Sequence, residues 1–503
     1  MRYRRVGLAV AVWSSPYFGV GAERAPYDAT SVIRRLIGPD AVQAAEQIQT
    51  ALSHLKRDSR RRGPELLDLL VLRAREQETA QALDVAALSP PGDGAAVDTP
   101  PVVALDAVFA RWCWGFATAT YGFAYLKALG LLGGVVPASM EEARKLDTLA
   151  FRERCGAEAK LVHFHRGPAM GTVKSPCYLV AYSESRNAVV LAVRGTADPG
   201  DAITDLACVA DSYDGLKYHS GILAAAFAVL NDASEAILAV VDEARPSKLV
   251  VTGHSLGGGV ALCIALLLDR AADDAAESIE GASNGSAWTG DRGDYAGDKD
   301  GAVLLLARRL AAAGMTVETV AFSPPPVACD ADGSHLDVAQ CCSISVGDDV
   351  VPYLSLHSVK KLQKQLDRVD AEMTPADRLK LVAASAAQRS GVLRTGVLRT
   401  FAEASQLAGL LPFPEKAAPP PPPAQDDDEG ANGDDPPPLR LVGAHYRLER
   451  NGRCALLNAN ALPRIRVRDR ALVDHLPPAL ESALDELCFQ QNQQPGTPQW
   501  RWD

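Results

Sequence analysis

Leu249-Val250-Val251-Thr252-Gly253-His254-Ser255-Leu256-Gly257-Gly258-Gly259 decides the fold of this chain. Leu249 to Thr252 are apolar or β-branched and read as a short buried strand. The glycines break that run, and Val260-Ala261-Leu262-Cys263-Ile264-Ala265-Leu266-Leu267-Leu268 continues as an apolar helix. The corner between them spells G-x-S-x-G, from Gly253 to Gly257. A serine at such a strained strand-to-helix corner presents its hydroxyl as a nucleophile. Its flanking positions must be small, because neighbouring backbone comes close. Ser255 is therefore the candidate nucleophile, with His254 packed beside the turn. The plainer reading is a glycine-rich helix start with a capping serine. The strand before the corner and the apolar helix after it favour the nucleophile.

Outward from this corner, strands alternate with helices. Cys177 to Ser183 and Ala188 to Arg194 read as a hairpin around Ser185-Arg186-Asn187, and Gly221 to Ala244 reads as a helix. Lys248 to Thr252, Thr316 to Phe322 and Cys341 to Val346 are short apolar strands separated by helical stretches. That order predicts an α/β class with a mostly parallel central sheet and flanking helices. Ala104 to Leu132 reads as a helical segment whose aromatics pack on the sheet. Leu439 to Leu448 and Ile465 to Arg468 read as strands, and Pro478 to Phe489 as a closing helix.

The division expected is an N-terminal helical extension and linker over 1–103, an α/β domain over 104–490 and a tail over 491–503. Helical spacing runs from about 28 to 88, with a basic cluster at Lys56 to Arg62 that reads as a solvated inter-helix loop. Two low-complexity inserts interrupt the domain, at about 271–301 and 390–438, and both read as mobile surface loops. The second contains five consecutive prolines and two acidic runs, and its place in the chain suits either a lid or a tether.

A hydrophobic content of 47% supports a sizeable core. The net charge of -11 argues against nucleic acid as a partner. No stretch approaches the roughly 18 consecutive apolar residues of a transmembrane helix. The basic start and short apolar run of the first 13 residues resemble a weak signal peptide, although a structured segment reads better. The ten cysteines lack the spacing of a zinc site or a disulfide framework, which suggests reduced thiols in a cytoplasmic setting and leaves organelle targeting or secretion open. No metal or other cofactor is expected.

A serine nucleophile needs a base, an orienting carboxylate and an oxyanion hole, in the chain order Ser, acid, His. His445 and His475 follow at suitable positions. His445 lies inside an expected strand, whereas His475 lies in the loop Leu472 to Pro477, and a base that reaches over a sheet edge is better placed on a loop. The strand Cys341 to Val346 runs into Gly347-Asp348-Asp349, and either aspartate could face the histidine. The oxyanion donors are the amide of Leu256, next to the nucleophile, and that of Thr196, on the loop after Val189 to Val193.

In combination these segments resemble the class 3 (fungal-type) lipases, and most of all the sn-1-specific diacylglycerol lipases. Ala192-Val193-Arg194-Gly195-Thr196 resembles the family's R-G-T oxyanion loop, and Asp201 to Leu206 its D-x-x-T-D-L. His219-Ser220-Gly221-Ile222, Phe322-Ser323-Pro324-Pro325 and Asp349-Val350-Val351-Pro352 resemble H-x-G-h, F-S-P-P and D-V-V-P. Asp474-His475-Leu476-Pro477 resembles H-L-P, and Tyr121-Gly122-Phe123 the aromatic Y-G-W, with Phe123 in place of Trp. The resemblance spans roughly residues 105 to 490. It implies an α/β-hydrolase fold and a Ser255-Asp349-His475 triad. It also implies hydrolysis of glycerolipid acyl esters, diacylglycerol first, with triacylglycerol or the sn-1 chain of phospholipids as alternatives. Contact with a membrane or lipid droplet would then be peripheral. A catalytically silent lipid-binding protein is the alternative of another class, and such proteins usually lose a triad member. Animal members carry transmembrane helices ahead of the domain, and no comparable stretch occurs in this sequence.

Overall fold

A computed structural model of the chain describes residues 68–69, 71–75, 105–133, 139–166, 176–196, 210–280, 298–374, 377–378, 381–382, 436–458, 464–466, 468 and 470–493. Helices α1 (Ala107–Ala119), α2 (Gly122–Ala128) and α3 (Met140–Cys155) come first. Strands β1 (Ala159–His165), β2 (Tyr178–Ser183), β3 (Ala188–Val193), β4 (Ala210–Tyr213) and β5 (Leu216–His219) follow. Next come α4 (Ser220–Ala244), β6 (Lys248–His254), α5 (Leu256–Glu280), α6 (Asp298–Ala312), β7 (Thr316–Phe322), β8 (Ala328–Cys329) and β9 (Cys341–Val346). The last elements are α7 (Leu356–Glu372), β10 (Ala444–Leu448), β11 (Cys454–Leu456) and α8 (Pro477–Gln493).

Eight strands form one sheet in the order β1-β2-β3-β6-β7-β9-β10-β11. From β3 to β10 every neighbouring pair is parallel, while β1, β2 and β11 pair antiparallel at the edges. β4, β5 and β8 make a separate three-stranded sheet. The continuous apolar runs follow from burial on both faces. In β3, Val189, Leu191 and Val193 pack into the layer built by α4 and α5, whereas Val190 and Ala192 pack into the layer of α1, α3 and α8. The period-2 alternation of side chains thus feeds two cores from one strand. The Gly253–Gly257 corner lies where central strand β6 meets α5, beside the last residues of β3 and β7. This is the α/β-hydrolase fold.

The segment expected as one helix over 104–132 is two. Gly122, at φ +75°, turns the chain against the carboxylate of Asp147 and separates α1 from α2. Asp106 caps α1 by accepting from the amide of Phe109. The strand expected over 439–448 begins only at Ala444. Gly443 takes φ +69°, and Arg440 instead bridges to Ala328. The stretch 465–468 is not a strand in its described residues. The first insert is shorter than expected, since α5 continues to Glu280 and α6 starts at Asp298. Residues 281–297 lie outside the described residues, as do most of the insert over 390–438, the basic cluster at 56–62, the linker to 103, the segment 201–206 and the tail from 494.

The described part of the N-terminal helical stretch, residues 68–69 and 71–75, is helical. It places Leu69, Val71 and Leu72 in the same core as β3 and α4, and Asp68 pairs with Arg378 at 2.6 Å in a buried salt bridge. Among the described residues α4 is the one helix long and apolar enough to cross a membrane, and twelve of its residues are buried in the protein. The nine cysteines within the described residues are free thiols.

Candidate active site

Ser255 sits at φ +57°, in the left-handed region that non-glycine residues rarely adopt. Its neighbours hold it there. The Ser255 amide donates to the carbonyl of Phe322 on β7 (2.8 Å), and its carbonyl accepts from Gly259 in the first turn of α5 (3.0 Å). A Cβ on Gly253 would lie 2.4 Å from the carbonyl oxygen of Gly257, and a Cβ on Gly257 would lie 2.2 Å from that of Val193. Both positions therefore require glycine on steric grounds. Gly195 is equally confined, between the carbonyl of His254, the Tyr121 hydroxyl and the Ser255 Cβ.

The His475 ring meets Ser255, with Nε2 2.9 Å from Oγ. Its Nδ1 lies 3.1 and 3.3 Å from the two carboxylate oxygens of Asp349. A carboxylate at Nδ1 fixes the tautomer with hydrogen on that nitrogen and leaves Nε2 able to accept the serine proton. Asp349 Oδ1 also accepts from the amide of Val351 (3.0 Å). Ser255, His475 and Asp349 are respectively 2%, 4% and 2% exposed, so solvent screens their contacts little. Of the two aspartates open at the sequence level, Asp348 is exposed and Asp349 faces the histidine. The other candidate base, His445, lies on β10 bonded to Ser345 Oγ at 2.8 Å, and burial pushes it down to about 4.

Of the two expected oxyanion donors, Leu256 adjoins the serine in the chain and Thr196 follows Gly195, whose position confines the serine. Leu256 opens α5, where amides lack intrahelical partners and carry the positive end of the helix dipole. Thr196 follows Gly195, where an added Cβ would lie 2.9 Å from Ser255 Cβ, and its own Oγ1 is buried with no hydrogen-bond partner.

Sequence reasoning treated His254 as packing, and the structure gives it two bonds. Its Nε2 lies 3.0 Å from the carbonyl oxygen of His475, and its Nδ1 lies 2.8 Å from the Tyr121 hydroxyl. A carbonyl can only accept, so Nε2 carries the hydrogen and Nδ1 accepts from Tyr121. Burial, then the adjacent His475, hold His254 well below the usual histidine range, which keeps it neutral in this role. Trp114 packs edge-on against His254 and Phe322, and its indole N–H donates to Glu481 on α8 (3.0 Å).

Asp474 was quoted only as part of a motif. It is fully buried, accepts from the amide of Asp348 (2.9 Å) and pairs with Arg450 and Arg470. The loop carrying the base is thereby tied to the loop carrying the acid. No local sequence signal marks this bond, because its partners are 126 residues apart. One cluster of metal-ligating type occurs among the described residues: His163, His165 and Asp232, with donor atoms within 4.8 Å of one another. It lies at the β1 edge of the sheet, where Asp232 already pairs with His165 at 3.1 Å.

A lipase of Rhizomucor miehei is 28% identical over 165 residues, which span 29% of this chain and 46% of that protein. The chain thus spans about half the length of the curated relative it matches. Solved structures similar to it include a Rhizomucor miehei lipase propeptide complex, with a TM-score of 0.31 and 17% identity over 49% of this chain and 61% of that one. The lipase from Rhizopus microsporus var. chinensis gives 0.31 and 17% over 53% of this chain and 75% of that one. Residues 190–295, which include Thr196, Ser255 and Leu256, match the family described as lipase (class 3).

Proposed function

We propose that this chain is a serine hydrolase of glycerolipid acyl esters, with Ser255, His475 and Asp349 as its catalytic triad. The observation that carries this reading is the unbroken hydrogen-bonded line from Ser255 Oγ through both nitrogens of His475 to the Asp349 carboxylate. His475 Nε2 takes the Ser255 proton as Oγ attacks the ester carbonyl. Asp349 stabilises the imidazolium that results. The amides of Leu256 and Thr196 receive the oxyanion, each worth about 3 kcal/mol in the transition state. Collapse of the tetrahedral intermediate expels the alcohol, which takes the proton back from His475 Nε2. Water then attacks the acyl-enzyme by the same relay and releases the fatty acid.

Diacylglycerol cut at sn-1 is the substrate we put first, supported by the set of motifs from Arg194-Gly195-Thr196 to His475-Leu476-Pro477. Triacylglycerol and the sn-1 chain of phospholipids rank after it. A lipid substrate places the enzyme against a membrane or droplet surface as a peripheral protein. The test is a panel of the three lipid classes with wild type and Ser255→Ala, alongside labelling by a fluorophosphonate. Hydrolysis and labelling in wild type, both lost in a folded Ser255→Ala protein, are expected. Turnover retained in Ser255→Ala refutes the mechanism. Labelling without turnover of any glycerolipid refutes the substrate class alone.

A further inference from the structure

Behind the acid loop lies a cavity of about 260 Å³ that neither Ser255 nor His475 lines. Arg440, Arg447, Arg464, Arg466 and Arg468 all contribute to its wall. The carboxylates of the same wall are Asp348, which is exposed, and Asp349, which is engaged by His475. Arg440 directs its Nε to the carbonyl of Gly333 (2.8 Å). Among the described residues, Arg447, Arg466 and Arg468 make no ion pair with a carboxylate. The wall also holds His335, whose Nδ1 is buried with no hydrogen-bond partner.

Guanidinium groups gathered around one concavity repel one another unless an anion lies among them. Their planar forks match the oxygens of a phosphate group, two bonds to each fork. The volume falls just under the roughly 300–1,000 Å³ of drug-sized ligands, which fits one or two phosphates with a short organic stem. Leu441 and Leu457 supply apolar wall for that stem. We propose that this cavity is a binding site for a phosphate ester, separate from the nucleophile and sharing only the acid loop with it. The ester is either a phosphorylated lipid headgroup or a soluble phosphate, and the chemistry of recognition is the same for both.

The test measures binding, so it stands whether or not Ser255 is a nucleophile. The full chain is titrated with inorganic pyrophosphate by calorimetry. It is also floated with phosphatidylcholine vesicles with and without phosphatidic acid. Wild type is expected to bind, and each guanidinium removed should weaken binding about tenfold or more. Arg447→Gln with Arg466→Gln is the main variant, and Arg309→Gln on α6 controls for surface charge. Should the double variant melt early, Arg466→Gln alone gives the same reading, since that side chain is exposed and makes no ion pair among the described residues. Recruitment to phosphatidic acid vesicles that the variant loses identifies a headgroup site. Pyrophosphate binding without recruitment identifies a soluble ester. Failure of wild type to bind either probe overturns the proposal, as does equal binding by a folded variant.

Discussion

Gly257→Ala is the most direct perturbation of the elbow. A Cβ there would stand 2.2 Å from the carbonyl oxygen of Val193 and 2.6 Å from the carbonyl carbon of Arg194. Both atoms are backbone at the end of β3, so no rotamer change relieves the contact. The elbow and the strand end must separate by about 1 Å, and overpacking of this kind costs about 1–3 kcal/mol. The functional loss should be larger than the stability loss. β3 runs directly into Gly195 and Thr196, so the same movement pulls the Thr196 amide away from Ser255 and Leu256. A displacement near 1 Å at a reacting centre costs on the order of 100-fold in rate. The assay is kcat/KM on a soluble short-chain ester, the rate of fluorophosphonate labelling, and Tm, each beside Gly133→Ala. Gly133 has open space where its Cβ would be, so that variant should match wild type. A Gly257→Ala enzyme with wild-type kcat/KM and Tm would refute the close approach of β3 to the elbow, and with it the placement of Thr196 as a donor.

Three further outcomes are expected. Asp474→Asn keeps an acceptor for the Asp348 amide but removes the charge facing Arg450 and Arg470, both partly exposed. It should cost roughly 2 kcal/mol in denaturant unfolding and lower kcat more than it raises KM. His445 is held at about 4 by burial, against an ordinary value of 6.5. The unfolded chain therefore binds the extra proton first, and the stability this buried neutral ring contributes is complete above pH 6.5 and lost as pH falls toward 4. The loss is roughly 3 kcal/mol, and His445→Gln should flatten that limb of a Tm-against-pH curve. Gly301 lies exposed within α6 with nothing near its Cβ position, so Gly301→Ala should stabilise by roughly 0.5–1 kcal/mol in the same unfolding assay.

The elements that were legible in the sequence are those buried on both faces. Thr316–Phe322 and Cys341–Val346 are read to the residue, because each is a short stretch of mainly apolar, small or β-branched residues whose last four residues are buried. β1 was missed for the opposite reason. Ala-Lys-Leu-Val-His-Phe-His lies at the sheet edge with mixed burial and shows neither a clean alternation nor a solid apolar run. α7 is legible too: Val359, Leu362, Leu366 and Val369 recur at helical spacing and are buried, behind a capping box at Ser355 and Ser358. The turn at Gly122 was hidden inside a strong helical pattern. It takes a left-handed φ where a Cβ would also meet the Asp147 carboxylate, a contact that no local pattern announces.

Within the site, the legible residues are those whose chemistry is itself the signal: a serine between glycines, and a histidine and an aspartate on loops. The groups that hold them in place were not legible, because each acts across a long sequence separation. His475 has three separate restraints. Its ring is bonded to Asp349, its carbonyl accepts from His254, and its neighbour Asp474 accepts from the Asp348 amide. The first orients the ring about its own axis. The second fixes the backbone of the base against the elbow through a histidine that Tyr121 keeps in one tautomer. The third fixes the distance between the base loop and the acid loop. In the proposed mechanism, a general base restrained in all three ways meets the nucleophile at hydrogen-bond distance before any substrate arrives, so little reorganisation free energy is left to the transition state. Under the proposed mechanism the residue between Gly253 and Ser255 therefore serves the catalytic geometry as well as the packing of the turn. It acts there as a neutral donor to a backbone carbonyl and does not itself take part in proton transfer.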